Sequence, residues 1–442
     1  MALVATREFL HGKILQLGAR LRRLARIDPH SIGLRPEDMP YAPSSEHLRA
    51  ANGRLAAIDT QARERFAQLE RRWQDGRTRD FARVQQDCAL VERELDRARR
   101  SFGLFFEVFA QRGTRFAPLL AAYDSVAADC YAAVRAHAPS VFRGRLLKPL
   151  CYMEHGYSPA TVRRGVVLHR LLGEANPFPV VRIPWDRDNP WQPVFLHEVA
   201  HNLQADMSIW HENRAAVLRR LLGQVRDPFV ASIYGRWHKE IFADLAALLL
   251  GGPAAAWGMA TFLAHPAPRT MTYRPGGAHP TAYLRVPMLA EMLRRMGFGA
   301  EAQRIDSVWR QLYDARSFHR MPPRLLGSAR TVIPIVVDEI AYQTRRNLAH
   351  RALADVMRYE PRDERVVRAA ASALAADRPV PADLPPRFYV SAASYAMNTG
   401  RIAPRRLAER VVRELNRRGR QSRRQSVPLR HEQRAPASSL PA

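Results

Sequence analysis

His197 and His201 bracket a glutamate in the pentad His197-Glu198-Val199-Ala200-His201, inside the run Val194 to Asn202. Residues four apart share a helix face, so the two imidazoles can reach one metal ion. Glu198 sits beside them, placed to act as a base on water rather than to bind the metal. A pentad this short also arises by chance, so its neighbours carry weight.

The spacing is the H-E-x-x-H of zinc-binding hydrolases, and two histidines need a third ligand. The elongated form of the motif requires Gly at 204 and His at 207, where Gln204 and Met207 stand, so that class is excluded. Asp206 and His211 lie just downstream, at spacings that match neither the elongated motif nor the glutamate-bearing motif described next. Glu240 is the better candidate. It opens Glu240-Ile241-Phe242-Ala243-Asp244 in a strongly helical segment, from which it would reach the metal from a second helix. Asp244, one turn later, would face the same side and could accept a ligand histidine's N–H or hold an arginine.

These two motifs, followed by His279-Pro280-Thr281-Ala282-Tyr283-Leu284-Arg285, resemble the gluzincin metallopeptidases. The resemblance is closest to the family of the bacterial heat-shock membrane protease and the CaaX prenyl endopeptidase. That family has H-E-x-x-H, then E-x-x-x-D, then His-Pro with an arginine six residues after the histidine. By this resemblance His197, His201 and Glu240 bind one zinc ion and Glu198 is the general base. His279 steadies the transition-state oxyanion, and Arg285, grouped with the catalytic residues, pairs with Asp244. The match covers Val194 to Arg285. It carries neither the family's several membrane spans nor its prenyl-peptide substrates.

The expected activity is therefore zinc-dependent hydrolysis of peptide bonds in a peptide or protein substrate, with Glu198 moving the proton. The alternative is a basic helical scaffold or nucleic-acid-associated protein whose zinc site is structural or inactive. Tyr283 could donate to an oxyanion as well, although packing is the commoner fate of a tyrosine. Trp185, Trp191, Trp210, Trp237 and Trp257 read as core and pocket walls.

The elements that must position these residues follow from periodicity. The pentad helix is predicted to start near Trp191 or Gln192 and run to about Met207, after a loop from Pro184 to Pro193. Between Phe142 and Ile183, short apolar runs, Gly165 to Leu168 and Phe178 to Ile183, predict a small sheet. Its Val180 to Ile183 strand is a candidate edge for pairing with an extended peptide. Helices are expected from the amino terminus, over Glu46 to Arg115, Ala117 to Ala136, Ile209 to Leu222, Phe229 to Leu250 and Tyr283 to Tyr313, and again from Arg330 to Arg418. The fold class is α+β, mostly α: a zincin-like domain with a small sheet, flanked by helical regions. The expected division is an amino-terminal helical region (1–138), the metallopeptidase domain (139–325), a carboxy-terminal helical region (326–418) and a disordered basic tail (419–442).

A chain of 442 residues with 47 % hydrophobic residues can bury a sizeable core. Its formal charge of +27 would suggest nucleic acid or an anionic membrane. However, the basic residues are spread along the length, and the lysines are just Lys13, Lys148 and Lys239. Arginine used this uniformly reads as biased base composition, so neither nucleic acid nor a membrane is the expected partner. Leu245 to Ala264 is uncharged, but Gly251-Gly252-Pro253 interrupts it, and buried helices are expected there. The first residues read as an amphipathic helix rather than a signal peptide. Cys88, Cys130 and Cys151 form no C-x-x-C pair, which fits a reducing, cytoplasmic setting. The sequence sets no oligomeric state.

Overall fold

The computed structural model describes residues 2–23, 26–74, 80–142, 146–154, 160–162, 177–184, 192–314 and 320–425. Apolar residues three to four apart wind the amino-terminal third into α1 (Ala2–Leu21), α2 (Ser45–Gln74) and α3 (Phe81–Ala110). Leu10, Ile14 and Leu17 of α1 close against Leu69, Val84 and Val91 of the α2–α3 hairpin. The Asp80 carboxylate accepts from Arg83 N and caps α3. Next comes α4 (Ala117–His137).

Among the described residues the sheet has three strands, β1 (Leu150–Glu154), β2 (Ala160–Val162) and β3 (Val180–Pro184), in the order β1-β3-β2. β1 runs parallel to β3, with Leu150 opposite Val180, and β2 runs antiparallel, with Thr161 opposite Val181. Strand side chains alternate between faces. Leu150, Tyr152 and Val180 therefore pack on the α2–α3 layer, with Phe105 and Phe109. Cys151, Met153, Val181 and Ile183 face the other way, into the core that holds the pentad helix. The Val180 to Ile183 strand is not the sheet edge expected from the sequence. β3 is the central strand and cannot offer an edge, because its hydrogen bonds are taken on both sides. Among the described residues the edge beside the pentad helix is β2. The run Gly165 to Leu168 lies outside the described residues, as do Trp185 and Trp191.

The pentad occupies α5 (Val194–Asp206), which starts after Pro193, two to three residues later than the periodicity suggested. Then follow α6 (Trp210–Gln224), α7 (Pro228–Gly251) and α8 (Pro253–Leu263). A four-residue turn, α9 (Ala267–Thr270), precedes α10 (Ala282–Arg295) and α11 (Gly299–Leu312). The carboxy-terminal helices are α12 (Pro323–Ala341), α13 (Leu353–Val356), α14 (Pro361–Ala375), α15 (Pro386–Asn398) and α16 (Pro404–Gln425). α16 carries Leu407, Val411 and Leu415 into the core and continues past Gly419, so residues 419–425 are helical rather than tail. Residues 426–442 lie outside the described residues.

α7 is the centre of the molecule. Asp227 accepts from Phe229 N and Val230 N, and Pro228 sets the first turn. Nineteen of its 24 residues are buried, so it is enclosed on all sides, by α5, α6, α8, α10, α12 and α15. That enclosure, continued into α8, buries every residue from 245 to 256, whereas Thr261 and Ala264 at the end of the uncharged stretch are exposed. Among the described residues no helix is long and apolar enough to cross a membrane. The largest core cluster runs from Leu120 to Leu415, taking in α4 and the carboxy-terminal helices together with α5 and α7.

The α7–α8 joint depends on a glycine. Gly252 has φ 66° and ψ −155°, a conformation open to glycine alone, and a Cβ there would sit 2.1 Å from Tyr359 Cε1. Gly252→Ala should cost about 2–4 kcal/mol from backbone strain and overpacking together. Denaturant unfolding checks this, and a variant as stable as wild type would refute the close approach.

Candidate metal centre

Helical geometry puts His197 and His201 on one face of α5, and Glu240 and Asp244 on one face of α7. Packing α5 against α7 brings the two faces together. The Nε2 atoms of His197 and His201 are 3.1 Å apart. Glu240 Oε2 lies 3.4 Å from His197 Nε2, and Oε1 lies 3.3 Å from His201 Nε2. Among the described residues these three form the group of side chains able to hold a metal ion. All three are buried, at 4 %, 6 % and 9 % exposure.

The spacing fits an ion. Donors at bonds of about 2.0–2.1 Å, arranged tetrahedrally, sit roughly 3.3 Å from each other. The donor chemistry fits too, since imidazole and carboxylate suit a borderline divalent cation. Without a cation or a shared proton, two imidazole lone pairs facing each other at this distance would repel.

Beneath the three donors lies a supporting layer. His197 Nδ1 is 2.9 Å from Asp244 Oδ1, a contact that favours the proton on Nδ1 and leaves Nε2 to face the centre. Arg285, from α10, grips Asp244 with two bonds, Nε to Oδ2 at 2.8 Å and Nη2 to Oδ1 at 2.6 Å. Both partners are buried, and burial alone would neutralise each of them. The pair instead holds the Asp244 carboxyl below its usual range and raises the Arg285 guanidinium. Arg285 thus bonds Asp244 and stands outside the His197–His201–Glu240 group, a place from which it can position that group rather than join it.

The remaining candidates separate clearly. Glu198 is 9 % exposed and follows His197 on α5. His279 stands on the loop before α10 with its side chain 73 % exposed, its Nε2 3.7 Å from Glu240 Oε2. Asp206 accepts the Tyr131 hydroxyl at 2.6 Å, which ties the end of α5 to α4, and His211 packs edge-on against Trp210. Neither joins the metal-binding group. Tyr283 lines a cavity with Trp309 and Tyr313, and its backbone carbonyl accepts the Trp309 indole N–H. The three cysteines are free and buried, and burial raises each thiol's pKa. The apolar runs of the sequence singled out neither β1 nor β2. Ala160-Thr161-Val162 is too short to stand out, and its β-branched pair was the available signal.

Burial pushes the His197 imidazole down, but Asp244 and Glu240 outweigh it and lift the pKa to about 9. Burial likewise raises the Glu240 carboxyl, and His197 and His201 more than reverse it, holding it well below the carboxylate range. A metal must displace the His197 proton. Apparent affinity should therefore rise by about tenfold per pH unit from pH 6.5 and level off near pH 9. In the metal-free protein the sign is opposite: stability from protonated His197 is full below its unfolded pKa and fades as pH rises through about 9. Metal titrations against a competing chelator at several pH values check the slope, and a flat profile would refute proton-coupled binding here.

Compared with protein-family models, with curated proteins and with solved structures, the chain gives no match to any of them.

Proposed function

We propose that the protein is a zinc-dependent metallopeptidase of gluzincin type. The observation that carries this reading is the convergence of His197, His201 and Glu240 at separations of 3.1–3.4 Å, with Glu198 beside His197 in the same helix. His197, His201 and Glu240 would hold the ion. Bound zinc supplies a Lewis acid that makes water nucleophilic near pH 7 and polarises a carbonyl.

The chain's own residues do the rest. Glu198 takes the proton from the attacking water and returns it to the leaving amine. His279, exposed at the rim, donates to the oxygen that gains negative charge. Asp244, gripped by Arg285, keeps His197 in one tautomer and one orientation. β2, with β3 on one side of its backbone, offers an edge on which an extended peptide could lie beside α5.

The test combines metal analysis with cleavage of a peptide library. Wild type should carry one zinc per chain and cut peptides, lose both after chelation, and regain both when zinc is restored. His197→Ala and Glu240→Ala should purify without zinc. Zinc kept in Glu240→Ala would remove Glu240 from the ligand set. Zinc bound without any cleavage would favour the scaffold reading, for which DNA or RNA binding should weaken steeply with salt.

A further inference from the structure

A trough in the amino-terminal helical layer combines an apolar floor with a rim of arginines. Leu55, Leu95 and Phe102, from α2 and α3, form the floor, and the space measures about 460 Å³. That lies within the range of small-molecule sites. Arg20, Arg23, Arg26 and Arg99 stand around it. Asp59 is the carboxylate among the lining residues, and Arg63 already takes both of its oxygens, at 3.0 and 2.9 Å. Arg99 has Asp96 at 3.3 Å. Among the described residues no carboxylate pairs with Arg20, Arg23 or Arg26.

The rim is anchored where it matters. Asn52, itself a lining residue, donates to Ile27 O at 2.7 Å and accepts from Ile27 N at 2.8 Å. Ile27 is 1 % exposed, so the chain carrying Arg26 is pinned to α2 at the edge of the floor.

We infer that this trough binds a single-chain anionic amphiphile: a carboxylate or phosphate head on an alkyl chain. The floor gains by shedding water onto an alkyl chain, which a bare anion does not provide. The guanidinium forks match the oxygens of a carboxylate or phosphate, and three like charges that no carboxylate among the described residues pairs with gain from an anion placed among them. A neutral apolar ligand would satisfy the floor and leave the rim uncompensated. The site is independent of the metal centre, since α1, α2 and α3 carry none of its residues.

Isothermal titration of the full-length protein with dodecanoate, below its micelle concentration, tests the inference. The expected result is one dodecanoate per chain, with affinity at least about tenfold weaker after Arg20→Glu, Arg23→Glu and Arg26→Glu are combined. Ala56→Trp, an exposed lining position that would fill the trough, should weaken binding similarly. The distant, exposed pair Arg362→Glu and Arg365→Glu should leave it unchanged. Dodecyltrimethylammonium, with the same tail, and inorganic phosphate, a head alone, should each bind at least about tenfold more weakly than dodecanoate. Equal binding of the cationic amphiphile, equal binding of phosphate, or indifference to the rim and Ala56 variants would overturn the inference. So would binding to phosphatidylglycerol vesicles without binding of monomeric dodecanoate, which would make the rim a membrane contact instead.

Discussion

Glu198→Gln should reduce peptide cleavage by about 10²–10⁴-fold, the usual worth of a positioned general base, while zinc content stays at one per chain. The amide keeps the size of the carboxylate and removes its ability to accept a proton. The separation of effects is what makes the variant informative. Glu198 follows His197 on α5, whereas the donor atoms that converge belong to His197, His201 and Glu240. A substitution confined to the base leaves those donors in place. Side-by-side rates and atomic absorption on wild type and variant read both quantities. Cleavage at the wild-type rate would end the assignment of Glu198, and loss of zinc would mean that Glu198 is a ligand.

The second large effect belongs to Arg285. Arg285→Ala leaves Asp244, only 2 % exposed, without its two charge-assisted bonds. Breaking a buried pair from one side typically costs about 3–5 kcal/mol, because the surviving charge stays desolvated. The loss should also weaken metal binding. Asp244 is the group facing His197 Nδ1, and removing such support commonly weakens metal affinity by about 10–100-fold. Asp244→Asn combined with Arg285→Met removes both charges and should recover most of the stability but not the affinity, since the tautomer of His197 is no longer enforced. Thermal unfolding and zinc titration on the single and double variants separate the two contributions. An Arg285→Ala protein with wild-type stability and wild-type zinc affinity would refute this role.

The arginine content also has a partly structural explanation. Arg112, Arg285, Arg345 and Arg410 are buried, and each bonds a carboxylate or backbone carbonyls inside the fold. Arg112, for example, joins Asp124 at 2.6 Å and Cys151 O at 2.5 Å, fastening β1 to α4. Part of the positive charge thus works inward. A charge total cannot reveal this, because it contains no positions.

What the sequence determined by itself was local. Helical periodicity aligned His197 with His201, and Glu240 with Asp244, because a turn of 3.6 residues places i and i+4 on one face whatever surrounds the helix. It also placed most helices to within a few residues. Everything that required two distant segments to meet was decided by the tertiary structure. Glu240 rather than Asp206 or His211 faces the two histidines because α7 packs on α5 while Asp206 turns to Tyr131, and no spacing rule encodes that docking. A short, mostly apolar run reads alike at the edge or the centre of a sheet, so Val180 to Ile183 became the central strand only when β1 and β2 paired on either side. Likewise an uncharged stretch is equally content in lipid or in protein, and it is packing against other helices that buries every residue from 245 to 256. The arginine-rimmed trough joins Arg20 to Phe102 across three helices, a juxtaposition that exists only once those helices have packed.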